Sequence, residues 1–223
     1  IRFAVDDIPN TTQLIQNGNI DYDRITSFSS ADYAFLFSYA RKSAKVGLSY
    51  GGNAKIVRRV VGDFANSWGF GFDLGAQYAA NNWKFGAMFR DVTTTFNAWN
   101  FTLDDETIAV YEATGNEIPS STIEVTLPKL ILGAGRVFPL GEKFTLFGEI
   151  DLDVSFDGKR NVPVKTEFAS IDPHAGLEIG FINMIFLRGG VGNFQQVKAI
   201  DGINSTTFQP NFGIGIKYKS ISL

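Results

Sequence analysis

The chain has 223 residues and a formal net charge of −3, with 21 Phe, 23 Gly and no Cys. That balance excludes the basic footprint of a nucleic-acid binder, and the missing thiols exclude a disulfide framework or a zinc–thiolate centre. No apolar run reaches the ~18 residues of a membrane-crossing helix, whereas 14% aromatics with abundant glycine fit short aromatic strands.

Residues 2–5 read as the end of a strand. Residues 6–31 read as a long polar connection, in which 11–17 predict a short helix capped by Thr11 or Thr12. A strand follows over 32–41, with Tyr33, Phe35, Phe37 and Tyr39 on one face. After a tight turn at Lys42-Ser43, a strand over 44–60 places Val46, Leu48 and Tyr50 outward and Ser49, Asn53 and Lys55 inward. Residues 62–68 read as a loop. The hairpin over 69–92 is the clearest unit of the first half. Its arms put Phe70, Phe72, Leu74, Trp83, Phe85 and Phe89 on one face, with Asp73, Gln77, Lys84 and Arg90 opposite.

Residues 92–126 read as a very long excursion, with alternation near its end at Ile123, Val125 and Leu127. Strands are expected at 127–138 and 143–156, joined by a turn at 139–142. Another hairpin is expected at 174–181 and 184–193, and a last full strand at 207–218. Loops fill 157–172 and 194–206. Short and long connections therefore alternate, as in outer-membrane barrels with tight periplasmic turns and long outer loops. Tyr39, Tyr78, Trp83, Phe138, Phe144, Phe181 and Tyr218 fall beside the short turns, where a bilayer interface collects aromatic rings. A Greek-key sandwich has no cause to alternate its connections so regularly.

The expected fold is all-β: one transmembrane, antiparallel, up-and-down β-barrel domain over residues 1–223, with about ten strands visible. The chain opens at Ile1 and closes on Ile221-Ser222-Leu223, which reads as the start of a further strand. The expectation is an internal portion of a longer protein.

Four blocks carry a resemblance: RFAVDDIPNT (2–11), GNIDYDRITSFSSADYAFLFSYAR (18–41), WGFGFDLG (68–75) and NNWKFGAMFRDVTTTFNAWNF (81–101). They resemble the PorV/PorQ family, outer-membrane barrels of Bacteroidota within the FadL-like superfamily that are associated with type IX protein secretion. The resemblance implies a barrel of about fourteen strands in the full protein. It also implies a place in the cell outer membrane and extracellular loops that bind secreted cargo or a secretion subunit; a single histidine argues separately against enzyme activity, with an outer-membrane hydrolase as a third reading. The region that enters the lumen of FadL-like barrels has no counterpart here, and the chain looks more like a paralogue than the family's shuttle protein. The other reading is a FadL-type passive conduit for small hydrophobic solutes, with inward Gly133, Gly135, Gly213 and Gly215 leaving space.

On the inward face stand Asp73, Lys84, Arg90, Glu149, Asp151, Asp153, Glu178, Arg188 and Lys217. Registering hairpins on their turns sets Glu178 opposite Arg188, Lys129 near Asp153 and Asp73 near Arg90. These charges either steer a solute or plug the lumen as ion pairs, since confined charges must find partners. Glu149, Asp151 and Asp153 form a carboxylate row suited to acid–base work or calcium, or to pairing with cations.

His174 is the only histidine, with Glu178 too far along its strand to make a catalytic pair. Asn19, Asp21 and Asp23 alternate like calcium-loop ligands but lack the loop's glycine and its twelfth-position glutamate. No cofactor or metal is expected. The excursion over 92–126 carries Phe96, Trp99, Phe101, Asp104, Asp105, Glu106 and Tyr111, an acidic and aromatic set suited to docking a partner protein.

Overall fold

The computed structural model describes residues 1–16, 19–158, 160–198, 204–218 and 221–222. In chain order the elements begin with β1 (Arg2–Asn10), β2 (Ile15–Gln16), β3 (Asn19–Ile20), β4 (Thr26–Lys42) and β5 (Leu48–Val61). Next come β6 (Ala65–Ala80), β7 (Trp83–Arg90), β8 (Thr95–Phe101), helix α1 (Asp105–Thr114) and β9 (Thr122–Thr126). The remainder is β10 (Lys129–Leu140), β11 (Phe144–Ser155), β12 (Val164–Lys165), β13 (Ser170–Phe181), β14 (Ile185–Lys198), β15 (Asn204–Tyr218) and β16 (Ile221–Ser222). The architecture is all-β and antiparallel.

The chain divides into two compact units, and β4, β5 and β6 contribute residues to both. The first comprises Ile1–Phe37, Asn53–Phe72 and Thr93–Thr126. In it β1 pairs with β4 from Arg2↔Tyr33 to Asn10↔Thr26, with a bulge between Val5 and Ile8 where Asp7 takes φ 56°. The order continues through β5 to β6, and β8 lies on β6 from Ala65↔Phe101 to Phe70↔Phe96. β9 lies on β8.

The second unit comprises Ser38–Gly52, Asp73–Val92 and Leu127–Leu223. Its order is β4-β5-β6-β7-β10-β11-β13-β14-β15-β16, with β12 on β13. The hairpin β6–β7 runs from Leu74↔Phe89 to Ala80↔Trp83 and closes on Asn81-Asn82, where Asn81 adopts φ 53°. Asparagine tolerates that left-handed conformation better than most residues.

Exposure along β6 is inverted relative to a soluble strand. Phe70, Phe72 and Leu74 are 59%, 45% and 54% exposed, while Ser67 and Asp73 are 1% and 6% exposed. Gly69 and Gly71, which alternate with the aromatics, are buried too. The same holds beyond this strand. Among the described residues the buried hydrophobic side chains are Ala65 and Val162, against buried Ser67, Asp73, Asp91, Thr95, Asn97, Thr107, Ser155 and Ser170. A soluble domain buries Phe, Leu and Ile and keeps carboxylates out.

Several expectations need correction. Residues 6–10 and 26–31 are strand, not connection. No helix forms over 11–16, and Asn17 lies outside the described residues. The Asn10 side chain accepts the Thr12 N–H at 3.0 Å, and Leu14 N–H donates to Thr11 O, so an Asx turn replaces the cap. Ile15-Gln16 then pairs with Asn19-Ile20. Residues 44–47 are a turn in which Gly47 takes φ 83°, so Val46 lies off the strand face.

The loop over 62–68 shrinks to the turn Gly62–Phe64, because Ala65–Phe70 pairs with β8. The excursion over 92–126 is two strands around a helix. Residues 170–172 and 194–198 extend β13 and β14, and β15 reaches back to Asn204, while 199–203 lie outside the described residues. Ile221-Ser222 is the further strand anticipated, and Leu223 lies outside the described residues. The regular alternation of short and long connections does not survive these revisions. At 65–68 and 95–101 each face mixes polar with apolar residues, which conceals two strands that bury Ser67, Thr95 and Asn97.

Candidate functional site

In the second unit the polar faces of β7, β11, β13 and β14 hold most of the charges picked out in the sequence. Arg188 Nε donates to Glu178 Oε2 at 2.6 Å across the register pair Glu178↔Arg188. Lys129 Nζ donates to Asp153 Oδ2 at 2.8 Å. Both pairs fall where turn-based registration put them. Asp73 is different: its Oδ1 accepts the backbone N–H of Asp91 at 2.9 Å.

Lys84, Glu149 and Asp151 line a cavity of about 500 Å³ with Ser49 and Gln77. The Lys84 ammonium also lies 4.8 Å from the centre of the Phe147 ring, a cation–π distance. Glu149 and Asp151 extend into a second cavity of about 520 Å³ with His174, Glu178, Arg188 and Asn211. Arg90 and Lys217 are exposed and line neither cavity.

The glycines expected to face inward do not leave open space at every position. A Cβ on Gly133 would lie 2.2 Å from Asp151 Oδ1, and one on Gly135 would lie 2.6 Å from the Phe147 ring. At Gly215 the Arg188 guanidinium comes within 3.1 Å of the same test position, whereas at Gly213 the nearest atom is 3.8 Å away. Neighbouring side chains fold over Gly133, Gly135 and Gly215 and fill the room they make, whereas Gly213 stays uncovered.

His174 stands opposite Asp151 in the ladder, over Gly192, where an added Cβ would meet Nδ1 at 2.1 Å. Its Nε2 is buried, 3.5 Å from Asp172 Oδ2 and 4.0 Å from Asp153 Oδ2, and makes no hydrogen bond. No serine hydroxyl is placed on it by any described contact. Asp172 lies in a stretch whose sequence reads as loop but which forms the start of β13. Asp21 uses its carboxylate on the Asp23 N–H at 3.1 Å, capping the short turn Tyr22–Arg24. Among the described residues no three His, Asp or Glu side chains gather as a metal site.

In the first unit β8 separates the aromatic candidates by parity. Phe96 lies on the face of Phe70, its register partner, while Trp99 and Phe101 oppose Ser67 and Ala65 on the other. Trp99 Nε1 donates to Glu124 Oε2 at 2.9 Å, and Arg59 reaches the same oxygen at 3.0 Å with Asp32 3.7 Å away. Arg59 belongs to β5. Sequence separation hid it from a reading that treated 92–126 as self-contained.

Asp104 caps α1 by accepting the Thr107 N–H at 2.6 Å, and this backbone hydrogen bond lowers its pKa. Gly115 ends the helix at φ 68°. Glu106 pairs with Arg24 at 2.7 Å, whereas Asp105 is exposed in the first turn and Tyr111 is half-buried. No family model, curated protein or solved structure matches this chain.

Proposed function

We propose that this chain is an outer-membrane β-barrel of about fourteen strands when complete, without enzyme activity. It acts in type IX protein secretion by binding secreted cargo or a translocon or attachment subunit through the region around β8, α1 and β9. The observation that carries the membrane reading is the inversion on β6, where Phe70, Phe72 and Leu74 are exposed and Ser67 and Asp73 are buried. Exposed aromatics at period two suit lipid, and a buried polar face suits a barrel interior. The secretion role rests on the resemblance of the four sequence blocks to the PorV/PorQ family.

The glycines covered by Asp151, Phe147 and Arg188 favour a side-chain plug over the FadL-type conduit. The pairs Arg188–Glu178 and Lys129–Asp153 then act as struts across the plug.

The test is deletion of the gene, followed by fractionation and an assay of secreted proteins. Retention inside the cell of proteins that carry C-terminal sorting domains is the expected result. Unchanged secretion with lost uptake of a hydrophobic dye would reject it in favour of the conduit. Deleting residues 102–121 should remove partners that co-purify after gentle extraction. If every partner stays bound, the docking role of this region is wrong.

A further inference from the structure

The outward row of the second unit contains one cation that the ion pairs do not explain. Reading the ladders across at one level gives Trp83 (β7), Arg136 (β10), Gly148 (β11), Leu177 (β13), Gly189 (β14) and Phe212 (β15). The row alternates bulk with glycine, and the glycines sink a trench of about 710 Å³ whose walls are almost wholly apolar. Arg136 stands at one end. Its guanidinium lies 5.1 Å from the Trp83 ring centre and 5.1 Å from that of Phe138. Among the described residues no carboxylate lies within ion-pair distance of it. A cation held between two rings, exposed and without an anion, is free to take one from a ligand.

From Arg136 to Phe212 the row crosses four strand spacings, about 19 Å. Trp83 is the first residue of β7, beside the Asn81-Asn82 turn, whereas Phe212 stands well inside β15. The trench therefore begins near a sheet rim at its charged end and moves inward at its apolar end. An apolar channel with a cation at its mouth fits an amphiphile with an anionic head.

Resting on the membrane reading above, we infer that this row is a binding site for one anionic glycerophospholipid, with its uncompensated phosphate on Arg136 and an acyl chain in the trench floored by Gly148 and Gly189. A barrel strand tilts by 35–45°, so a row at right angles to the strands climbs from the interface into the hydrocarbon. That geometry places the head at headgroup level and the chain at acyl depth. Trp83 and Phe138 belong to the aromatic belt that marks this level.

The test uses a chain in which Trp83 is the only tryptophan (Trp68→Phe, Trp99→Phe), reconstituted in vesicles of brominated phosphatidylcholine or brominated phosphatidylglycerol. Quenching of Trp83 by the neutral brominated lipid is expected from the membrane reading, and its absence overturns that reading and the site with it. The site further requires a preference for the anionic lipid of about fivefold. Arg136→Gln should remove the preference and Arg136→Lys should keep most of it. Gly189→Leu should also remove it, because a Cβ there meets Phe212 no closer than 3.9 Å and the longer side chain fills the trench. Equal quenching by the two lipids overturns the site while leaving the membrane reading intact. Native mass spectrometry of the otherwise unaltered chain provides the second measurement. One retained phospholipid in the wild type and none in Arg136→Gln is expected, and equal retention overturns the proposal.

Discussion

Asp73 reaches across from β6 to accept the backbone N–H of Asp91 at 2.9 Å, and both residues are almost completely buried. Asp91 adopts φ 52° and Thr94 φ 63°, so the chain kinks between β7 and β8. Along β6 the partner strand changes at this point: residues 74–80 pair with β7 and residues 65–70 with β8. The kink frees backbone donors from the ladder, and a buried donor must find another acceptor. Asp73 supplies it.

Replacing that acceptor should be costly. Asp73→Ala leaves the Asp91 N–H buried and unpaired, and a loss of about 1–3 kcal/mol is expected in equilibrium unfolding. Asp73→Asn keeps a carbonyl oxygen within reach and should recover more than half of that loss. Equal losses in the two variants would show that the carboxylate charge, and not the acceptor, is what matters.

Gly71 makes room for the neighbouring strand. A Cβ built there would lie 2.0 Å from Thr95 Oγ1 and 3.0 Å from Lys55 Cε, and Thr95 is 4% exposed. Gly71→Ala is expected to destabilise by about 1–3 kcal/mol through overpacking. Adding Thr95→Ala should restore part of the loss. The two changes should therefore be non-additive in a thermal unfolding series.

Two ion pairs of the second unit, Arg188–Glu178 and Lys129–Asp153, should differ in worth. Arg188 and Glu178 side chains are 54% and 28% exposed, while Lys129 and Asp153 are 28% and 20%. Solvent screening holds the first pair to roughly 0–1 kcal/mol in a double-mutant cycle. The second, less hydrated, should show the larger coupling. A larger coupling for Arg188–Glu178 would contradict this ranking.

Acid should loosen the segment after β11. Arg160 Nε donates to both Asp157 oxygens at 2.9 Å, and this hydrogen bonding holds the Asp157 carboxyl below its ordinary value and raises the Arg160 guanidinium. A carboxyl depressed in the fold contributes stability above its unfolded pKa and loses it as pH falls through the folded one. Side chains 49% and 32% exposed limit the effect to about 0.5 kcal/mol. Arg160→Gln should flatten the fall in unfolding free energy between about pH 5 and pH 2. An unchanged slope would remove this pair from the acid response.

Period-two alternation made β7, β10, β11 and the hairpin β13–β14 legible from residues alone. Leu152 against Asp151 and Asp153, or Phe85 against Lys84, can be sorted only as opposite faces of a strand. Turn residues then set the registers, so the Ile182-Asn183 turn alone places Glu178 opposite Arg188. The same logic failed at Ala65–Trp68 and Thr95–Phe101, where the buried side holds Ser67, Thr95 and Asn97. In both stretches each face mixes polar with apolar residues, so alternation carries no signal and both read as loop.

The composition and alternation of this chain determined that it is all-β, because side-chain period is a local property that needs no partner, and the short turns made the hairpin strands they join antiparallel. Which strands meet is not local. Tertiary structure decided that β6 passes from β7 to β8, that Arg59 joins Glu124 across 65 positions, and that side chains cover Gly133, Gly135 and Gly215. It also decided that Arg136 stands at the head of an apolar row with, among the described residues, no carboxylate at ion-pair distance. That row is made by five ladder registers acting together, and no single stretch of sequence contains it.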